Sequence, residues 1–175
     1  MFCSRCGSGT KVAEAGLSRR CPRCKISHFP RTDPVVIMLV SDADRVLLGR
    51  RIGWEPGRFS ILAGFVSSGE TPEEAVVREV LEESAIEAHS PRYIASQPWP
   101  FPSSLMLGFE AGADGGEPVP QLGEMADVRW FTLAEIEAAQ QSPGQLSDGS
   151  LRLPGEVSIA RSLIDGWVAR GGRRL

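Results

Sequence analysis

Hydrophobic positions fall into short apolar runs separated by polar or glycine-containing segments, a pattern typical of β-strands. The β-branched run 35–40 follows Pro34, the polar stretch 41–44 predicts a hairpin turn, and 46–48 predicts the next strand. By the same criteria we predict strands at 60–63, 92–96, 105–110 and 128–131, and a polar loop at 140–149.

Three segments have helical character. The first begins at Pro72, because Thr71 and Glu74 supply the two side chains of a capping box and proline fits a position that needs no amide donor. The other two are predicted at 133–139 and 157–168, where apolar residues recur at helical spacing. Strands interleaved with helices predict an α/β chain, specifically an α+β sandwich with a mixed sheet between helices.

Composition limits the classes of function. With 175 residues, of which 42% are apolar, the chain suffices for one core domain and a small appendage. A net charge of −3 gives no overall field that would attract nucleic acid. No apolar run reaches about 18 residues and the first residues do not resemble an export signal, which predicts a soluble, cytoplasmic protein that does not engage membranes.

All four cysteines lie near the N-terminus, as Cys3-x2-Cys6 and Cys21-x2-Cys24. Two such pairs complete a tetrahedral site with no open position, which predicts a structural zinc ion. The alternative is a pair of disulfides, but the absence of an export signal favours metal. We predict a zinc ribbon over residues 1–33 and a second domain over 34–175.

The ribbon is locally basic, and its role has two interpretations. It either contacts nucleic acid or supports the domain behind it, and we favour the supporting role because solvated knuckles commonly carry cations. The basic residues concerned are Arg5, Lys11, Arg19, Arg20, Arg23 and Lys25.

The most informative stretch is residues 64–86. It has the spacing G-x5-E-x7-R-E-x2-E-E, formed by Gly64, Glu70, Arg78, Glu79, Glu82 and Glu83. On a helix the last three glutamates share one side, while Val77, Val80 and Leu81 occupy the opposite side. A solvated helix face is the alternative, but six specified positions match by chance with a probability on the order of 10⁻⁷ to 10⁻⁸. Clustered carboxylates predict magnesium or manganese bound around phosphate.

This string resembles the signature of the Nudix hydrolases, which cleave nucleoside diphosphates linked to another moiety. One departure is Ala85, where the family pattern usually has glycine. The resemblance implies a pyrophosphatase of the Nudix fold. It further implies that Glu79, Glu82 and Glu83 hold the cations, that Arg78 orients a glutamate, that Glu83 is the general base, and that Glu124 completes metal binding.

A second string, residues 96–104, reads SQPWPFPSS. Its three alternating prolines disfavour helix and sheet, which predicts a stiff loop that holds Trp99 and Phe101 beside the phosphate site. The alternative is a surface connector whose aromatic residues fill a small core. The string resembles an element of the NADH pyrophosphatases within the Nudix family, and the zinc ribbon and the 64–86 string accompany it in the same order.

That resemblance implies hydrolysis of NAD or NADH to nicotinamide mononucleotide and AMP, and it makes NAD-capped RNA 5′ ends a further candidate substrate. The dinucleotide-binding residues it implies are Phe65, Trp99, Gln97, Ser96, Ser104, Ala160 and, from the partner subunit of a homodimer, Phe29. Both Phe65 and Phe29 also have an ordinary interpretation as core residues.

Two other functions remain open. The same catalytic residues would serve another nucleoside diphosphate derivative, such as a modified dinucleotide or ADP-ribose. The second is a non-catalytic module that senses a dinucleotide. The complete set of glutamates argues against a sensor, which has no need of it.

Overall fold

The computed structural model describes residues 1–141 and 150–174, and the chain forms two compact units, Met1–Thr32 and Asp33–Leu175. Residues 142–149 of the predicted polar loop lie outside the described residues. Within the described part of the chain, no helix is both long and apolar enough to span a membrane.

The first unit is a three-stranded antiparallel sheet. Its strands are β1 (Lys11–Ala13), β2 (Ser18–Arg20) and β3 (Ser27–His28), with a short 3₁₀ turn at Glu14–Gly16 between the first two. Strands of two or three residues carry no readable alternation, which is why the hydrophobic pattern did not predict them.

The second unit is built on a six-stranded mixed sheet. Its strands are β4 (Asp33–Asp42), β5 (Arg45–Arg51), β6 (Leu62–Phe65), β7 (Ala88–Trp99), β8 (Ser104–Ala113) and β9 (Met125–Thr132). The order is β7-β8-β4-β5-β9, and β6 pairs with the first half of β4. Only the β4–β8 pair is parallel among the described strands; the other pairs are antiparallel.

Helices cover both faces of this sheet. They are α1 (Pro72–Ser84), α2 (Leu133–Gln141) and α3 (Ile159–Ala169). The central strand β4 is buried on both sides: Val36 and Met38 belong to the cluster that includes residues of α1, while Ile37 and Leu39 belong to the cluster that includes α2 and α3. This alternation confirms the predicted sandwich with a mixed sheet between helices.

Each strand and helix predicted for the second unit is present, with shifted ends. The largest difference concerns 92–96, because β7 runs from Ala88 to Trp99. At 60–63 the strand is displaced: β6 begins only at Leu62, and Ser60 instead forms an isolated bridge with Gly49. This pairing draws the segment before β6 toward β5.

The predicted stiff loop at 96–104 is wrong for most of its length. Residues through Trp99 continue β7, Ser104 begins β8, and Trp99 is paired with Ser104 in the hairpin register. Pro98 is compatible with the ladder because β7 is the edge strand of the sheet, where a residue without an amide donor loses no interior hydrogen bond.

Helix α1 begins as predicted. Thr71 accepts a hydrogen bond from the Glu74 amide, and the Glu74 side chain accepts one from the Thr71 amide. The helix ends at Ser84 and is capped by Ala85, which takes the left-handed conformation with φ 58°. That conformation favours glycine at the end of a helix, so alanine here carries a small backbone cost.

The predicted apolar face of α1 is partly wrong. Val77 and Leu81 are exposed, whereas Val76, Val80 and Glu83 are buried. The buried side therefore follows the spacing 76, 80, 83, one residue away from the predicted side. As a result Glu83 lies at the border between the core and the acidic face.

Candidate active site

The four cysteines come together as predicted. The Sγ atoms of Cys3, Cys6, Cys21 and Cys24 all lie within 4.8 Å of one another. A backbone hydrogen bond from Ser8 lowers the pKa of Cys6 to about 6, which favours the thiolate that binds metal. Four convergent sulfurs fit a tetrahedral structural zinc ion.

The predicted glutamates line one open cavity of about 730 Å³ in the second unit. Glu79, Glu82 and Glu83 come from α1, and Glu124 comes from the segment just before β9. The amide of Ile52 at the end of β5 donates to the carbonyl of Glu124 at 2.9 Å, which fixes this segment beside the strand. The cavity therefore gathers four carboxylates from two distant parts of the sequence.

Arg78 organises the acidic face without being aimed into the cavity. Its guanidinium binds Glu70 through two contacts, Nε at 3.0 Å and Nη2 at 2.5 Å, while Nη1 donates to Glu79 at 2.7 Å and Glu82 at 3.0 Å. Nη2 also donates to the carbonyl of Phe65 at 2.9 Å. One arginine therefore joins the loop before α1, the end of β6 and two of the glutamates.

The same contacts perturb the pKa values of the pair. Hydrogen bonds from Arg78 and then from the Ser67 amide lower the pKa of Glu70 to about 2. The carboxylates, with Glu70 first, hold the pKa of Arg78 well above its usual range. Both groups are ionised at any physiological pH, so this is a permanent positioning device.

Gly64 is required by the position of Glu79. A Cβ atom at residue 64 would lie 1.8 Å from the Glu79 Cδ and 2.1 Å from both carboxylate oxygens. Because residue 64 of β6 has no side chain, the Glu79 carboxylate can lie against the strand backbone. The sequence pattern includes this glycine, but only the structure shows its partner.

Glu83 is the most buried of the four carboxylates. Its side chain is 2% exposed, and burial is the main reason that its pKa rises to about 7, an effect opposed by the charge of Arg51. Glu83 Oε1 accepts from Arg51 at 3.2 Å, but Oε2 is buried without a hydrogen-bond partner among the described residues. An unpaired buried carboxylate oxygen costs free energy and needs a ligand.

Arg51 was missed by the sequence analysis. It is the last residue of β5, and its Nη2 lies 3.2 Å from Glu83, 3.3 Å from Glu124 and 2.9 Å from the carbonyl of Ala63. A cation at the end of a strand gives no sequence signal of its own. Its role depends on β5 ending beside the acidic face of α1.

The donor set fits a hard divalent cation. Four carboxylates line the cavity and one of their oxygens is buried and unpaired, but among the described residues no three of them bring an oxygen within 4.8 Å of one another. An arginine already supplies positive charge between Glu83 and Glu124. A cation would therefore have to draw the carboxylates closer together. Oxygen ligands of this kind suit magnesium or manganese better than zinc or copper.

Aromatic side chains form another part of the same cavity. Phe65, Trp99, Phe101 and Trp54 all line it, and the rings of Trp99 and Phe101 meet edge to face at 5.6 Å. Phe65 is 61% exposed, so it is not a core residue. Ser104 also lines the cavity, and its contact with substrate stays a prediction. Trp54 was missed because it lies in a turn with no recognisable pattern.

Three predicted dinucleotide-binding residues of the second unit do not line this cavity. Gln97 is engaged with α3, because its Nε2 donates to the Val157 carbonyl and its Oε1 accepts from the Ile159 amide, both at 2.8 Å. Ala160 is a residue of α3 and is buried in the core cluster on that side of the sheet. Ser96 is exposed on β7. Phe29 is exposed in the first unit. Their contacts with substrate stay predictions.

Comparison with known families agrees with this geometry. The model described as NUDIX domain matches residues 30–148, and the model described as NADH pyrophosphatase zinc ribbon domain matches residues 1–29. The chain belongs to the Nudix family. The zinc ribbon match also supports a structural zinc ion at the four cysteines, and the Nudix assignment implies a divalent metal.

Curated relatives cover nearly all of this Nudix chain. A protein of Stutzerimonas stutzeri named NAD-capped RNA hydrolase NudC is 44% identical over 97% of the chain, and one of the same name from Mycobacterium bovis is 47% identical over 93%. The matches cover 56% and 53% of those proteins, so the chain spans about half the length of the relatives it matches.

Solved structures support the fold. A NUDIX hydrolase from Nitrosomonas europaea aligns with a TM-score of 0.71 and 23% identity, over 97% of this chain and 90% of that one. At this level of identity the likeness concerns the fold alone.

Proposed function

We propose that this chain hydrolyses the pyrophosphate bond of NAD, NADH or the NAD cap of RNA, with magnesium or manganese as the catalytic metal. The observation that carries the proposal is the cavity in which four glutamates, one with a buried unpaired oxygen, face exposed aromatic rings. The relatives named NAD-capped RNA hydrolase, and the ribbon type named for NADH pyrophosphatase, support this choice of substrate.

The metal would be held by Glu79, Glu82, Glu83 and Glu124. When bound, it neutralises charge on the diphosphate and makes a nearby water easier to deprotonate. Arg78 keeps Glu79 and Glu82 in place through its hydrogen bonds, so those two carboxylates are ordered before substrate arrives. Preorganised charge of this kind lowers the barrier without reorganisation during the reaction.

Proton transfer is assigned to Glu83. In the metal-free site burial raises the pKa of Glu83 to about 7, and a bound cation would lower it. Its Oε2 is buried without a hydrogen-bond partner among the described residues, and this is the oxygen we assign to accept the proton of the attacking water. The bond between phosphorus and the leaving phosphate oxygen then breaks. This yields two mononucleotides from the free dinucleotide, or one mononucleotide and a 5′-monophosphate RNA from the capped RNA. No covalent intermediate is required. Ser67 lines the cavity beside Glu70, but hydrogen bonds from Arg78 lower the pKa of that carboxylate to about 2, so it is too weak a base to activate the hydroxyl.

Substrate selection is assigned to the aromatic side of the cavity. Phe65 lies at the end of β6 next to Gly64, and Trp99 lies at the end of β7. Flat exposed rings suit stacking against nicotinamide or adenine, a contact that is worth about 1–3 kcal/mol per base. The Trp99–Phe101 edge contact limits the freedom of both rings and so lowers the entropic cost of stacking.

The test is product analysis by mass spectrometry. The chain is incubated with magnesium or manganese and separately with NAD, NADH, ADP-ribose and an NAD-capped RNA, with Glu83→Gln as the matched control. Nicotinamide mononucleotide and AMP, or a 5′-monophosphate RNA from the capped substrate, are expected with the wild type and not with the control. Cleavage of ADP-ribose alone would move the assignment to another nucleoside diphosphate. No cleavage of any of the four would contradict the proposal and favour the sensor.

The remaining predictions concern the whole protein. The family resemblance implies a homodimer in which Phe29 of one subunit contributes to the partner's site. It also implies a cytoplasmic location, and both belong to this proposal. Molecular mass measured by light scattering tests the first. The second is tested by fractionation of cells that express the full-length protein.

A further inference from the structure

The two units of the chain carry net charges of opposite sign. Residues 1–32 have a formal charge of +6, against −3 for the whole chain, which leaves −9 on the remainder. The charged residues of this unit are Arg5, Lys11, Arg19, Arg20, Arg23, Lys25, Arg31 and Glu14. Even after about two negative charges from a zinc–tetrathiolate centre, the ribbon stays strongly basic. A small basic unit attached to an acidic domain indicates a polyanionic partner for the basic unit.

The ribbon also has a groove of about 440 Å³ that is lined by cations. Lys11, Arg20 and Lys25 line it, and no acidic residue in the described part of the chain does. Lys11 and Arg20 are direct partners in the antiparallel register of β1 and β2, so their side chains leave the same face of the sheet. Like charges placed opposite one another across two strands are destabilising, which calls for a compensating anion.

The fold uses the charge of Arg19 for its own contacts, whereas it leaves that of Lys11 and Arg20 without a partner among the described residues. Arg19 donates to the Thr10 hydroxyl at 2.8 Å and to the Thr10 carbonyl at 2.7 Å, which ties β2 to the segment before β1. Within residues 1–141 and 150–174, Lys11 and Arg20 take part in no ion pair or side-chain hydrogen bond. Lys25 donates to the Pro22 carbonyl at 2.8 Å and keeps its full charge in the groove.

We propose that this groove binds the phosphates of single-stranded RNA through Lys11, Arg20 and Lys25. The inference rests on the proposed function, since it concerns the RNA body of an NAD-capped substrate. Exposed apolar side chains on the same ribbon, including Phe2 at 76% exposure, provide surfaces for unpaired bases. Free NAD has no such body, so the groove affects capped RNA alone.

The first experiment measures binding without catalysis. Fluorescence anisotropy follows a short uncapped single-stranded RNA as it binds the full chain over a range of salt concentrations. The double variant Lys11→Gln/Arg20→Gln is compared with Arg5→Gln/Arg23→Gln, which removes the same charge from the ribbon outside the groove. Zinc content by elemental analysis shows that both variants retain the ribbon.

The groove variant is expected to bind RNA at least about tenfold more weakly at low salt. The slope of log affinity against log salt should shrink by about 1.4, because each single-strand phosphate contact contributes about 0.7. The control should retain most of the affinity. Equal losses in both variants, or no RNA binding by the wild type, would overturn the proposal.

The second experiment separates this proposal from the proposed function. Turnover of free NADH and of NAD-capped RNA is measured for the same two variants. The groove variant should raise KM for capped RNA and leave NADH hydrolysis unchanged. If RNA binding depends on the groove but the chain cleaves neither substrate, the proposed function is refuted and the proposal of RNA binding in the groove is retained. If both substrates are cleaved and the groove variant has no effect, only the proposal of RNA binding in the groove is refuted.

Discussion

The contact between Gly64 and Glu79 makes Gly64→Ala a sharp test of the site. The new Cβ would lie 1.8 Å from the Glu79 Cδ, whereas ordinary van der Waals contact begins at 3.4 Å. The carboxylate must therefore retreat by about 1.6 Å. Because Glu79 also accepts from Arg78 at 2.7 Å, that retreat breaks or distorts the hydrogen bond that positions it.

We expect this displacement to reduce kcat/KM for the nucleotide substrate by at least about a hundredfold, since misplacement by about 1 Å can cost this much. Binding of Mn²⁺, measured by isothermal titration calorimetry, should weaken as well because one carboxylate leaves the set. The fold should survive, since the Glu79 side chain borders an open cavity and can move into solvent.

The matched control is Gly155→Ala. A methyl group added to Gly155 would have no described atom within 4 Å, and the residue has no left-handed backbone angle, so alanine fits there without strain. Thermal denaturation of both variants tests whether each remains folded. A Gly64→Ala protein whose kcat/KM stays within a few-fold of wild type, with unchanged Mn²⁺ affinity, would refute the argument. Loss of folding in Gly64→Ala would show that the contact supports the fold instead.

Three further predictions concern charge and stacking. Arg51→Gln should tighten Mn²⁺ binding about threefold, because the partly exposed ion pairs of Arg51 with the glutamates compete with the cation by up to about 1 kcal/mol. Arg45→Gln, at the other end of the same strand, is the control. Weaker Mn²⁺ binding in the Arg51 variant would contradict this prediction. Glu70 has a pKa of about 2 when folded against an ordinary 4.5, so its stabilisation is present above pH 4.5 and is lost as the pH falls toward 2. The urea midpoint of the wild type should therefore fall more between pH 5 and pH 3 than that of Glu70→Gln. Tryptophan fluorescence follows this unfolding and reports only the second unit, because all four tryptophans lie there. Parallel dependence of the two midpoints on pH would disprove the assignment. Trp99→Ala should raise KM for NADH about tenfold or more and change hydrolysis of a diphosphate without a second ring far less, given the worth of stacking; equal losses on both substrates would count against a stacking role.

Local rules explain what the sequence determined. The capping box and Pro72 set the start of α1, and helical periodicity then places Glu79 and Glu82 on one side. The spacing of the cysteine pairs sets two knuckles, and alternation along β4 sets a strand buried on both faces. Each of these features depends on residues within a few positions of one another, which is the range over which propensity and periodicity act.

The tertiary structure decided the features that join distant segments. Arg51 meets Glu83 across 32 positions, and Gln97 meets the start of α3 across 62. The true core side of α1 was settled by packing against the sheet, which buried Glu83 and left Val77 exposed. Helical spacing cannot choose between two sides that differ by one residue, since the choice depends on the surface that the helix meets. The same packing gives Glu83 its raised pKa, because desolvation exists only once distant parts of the chain have come together.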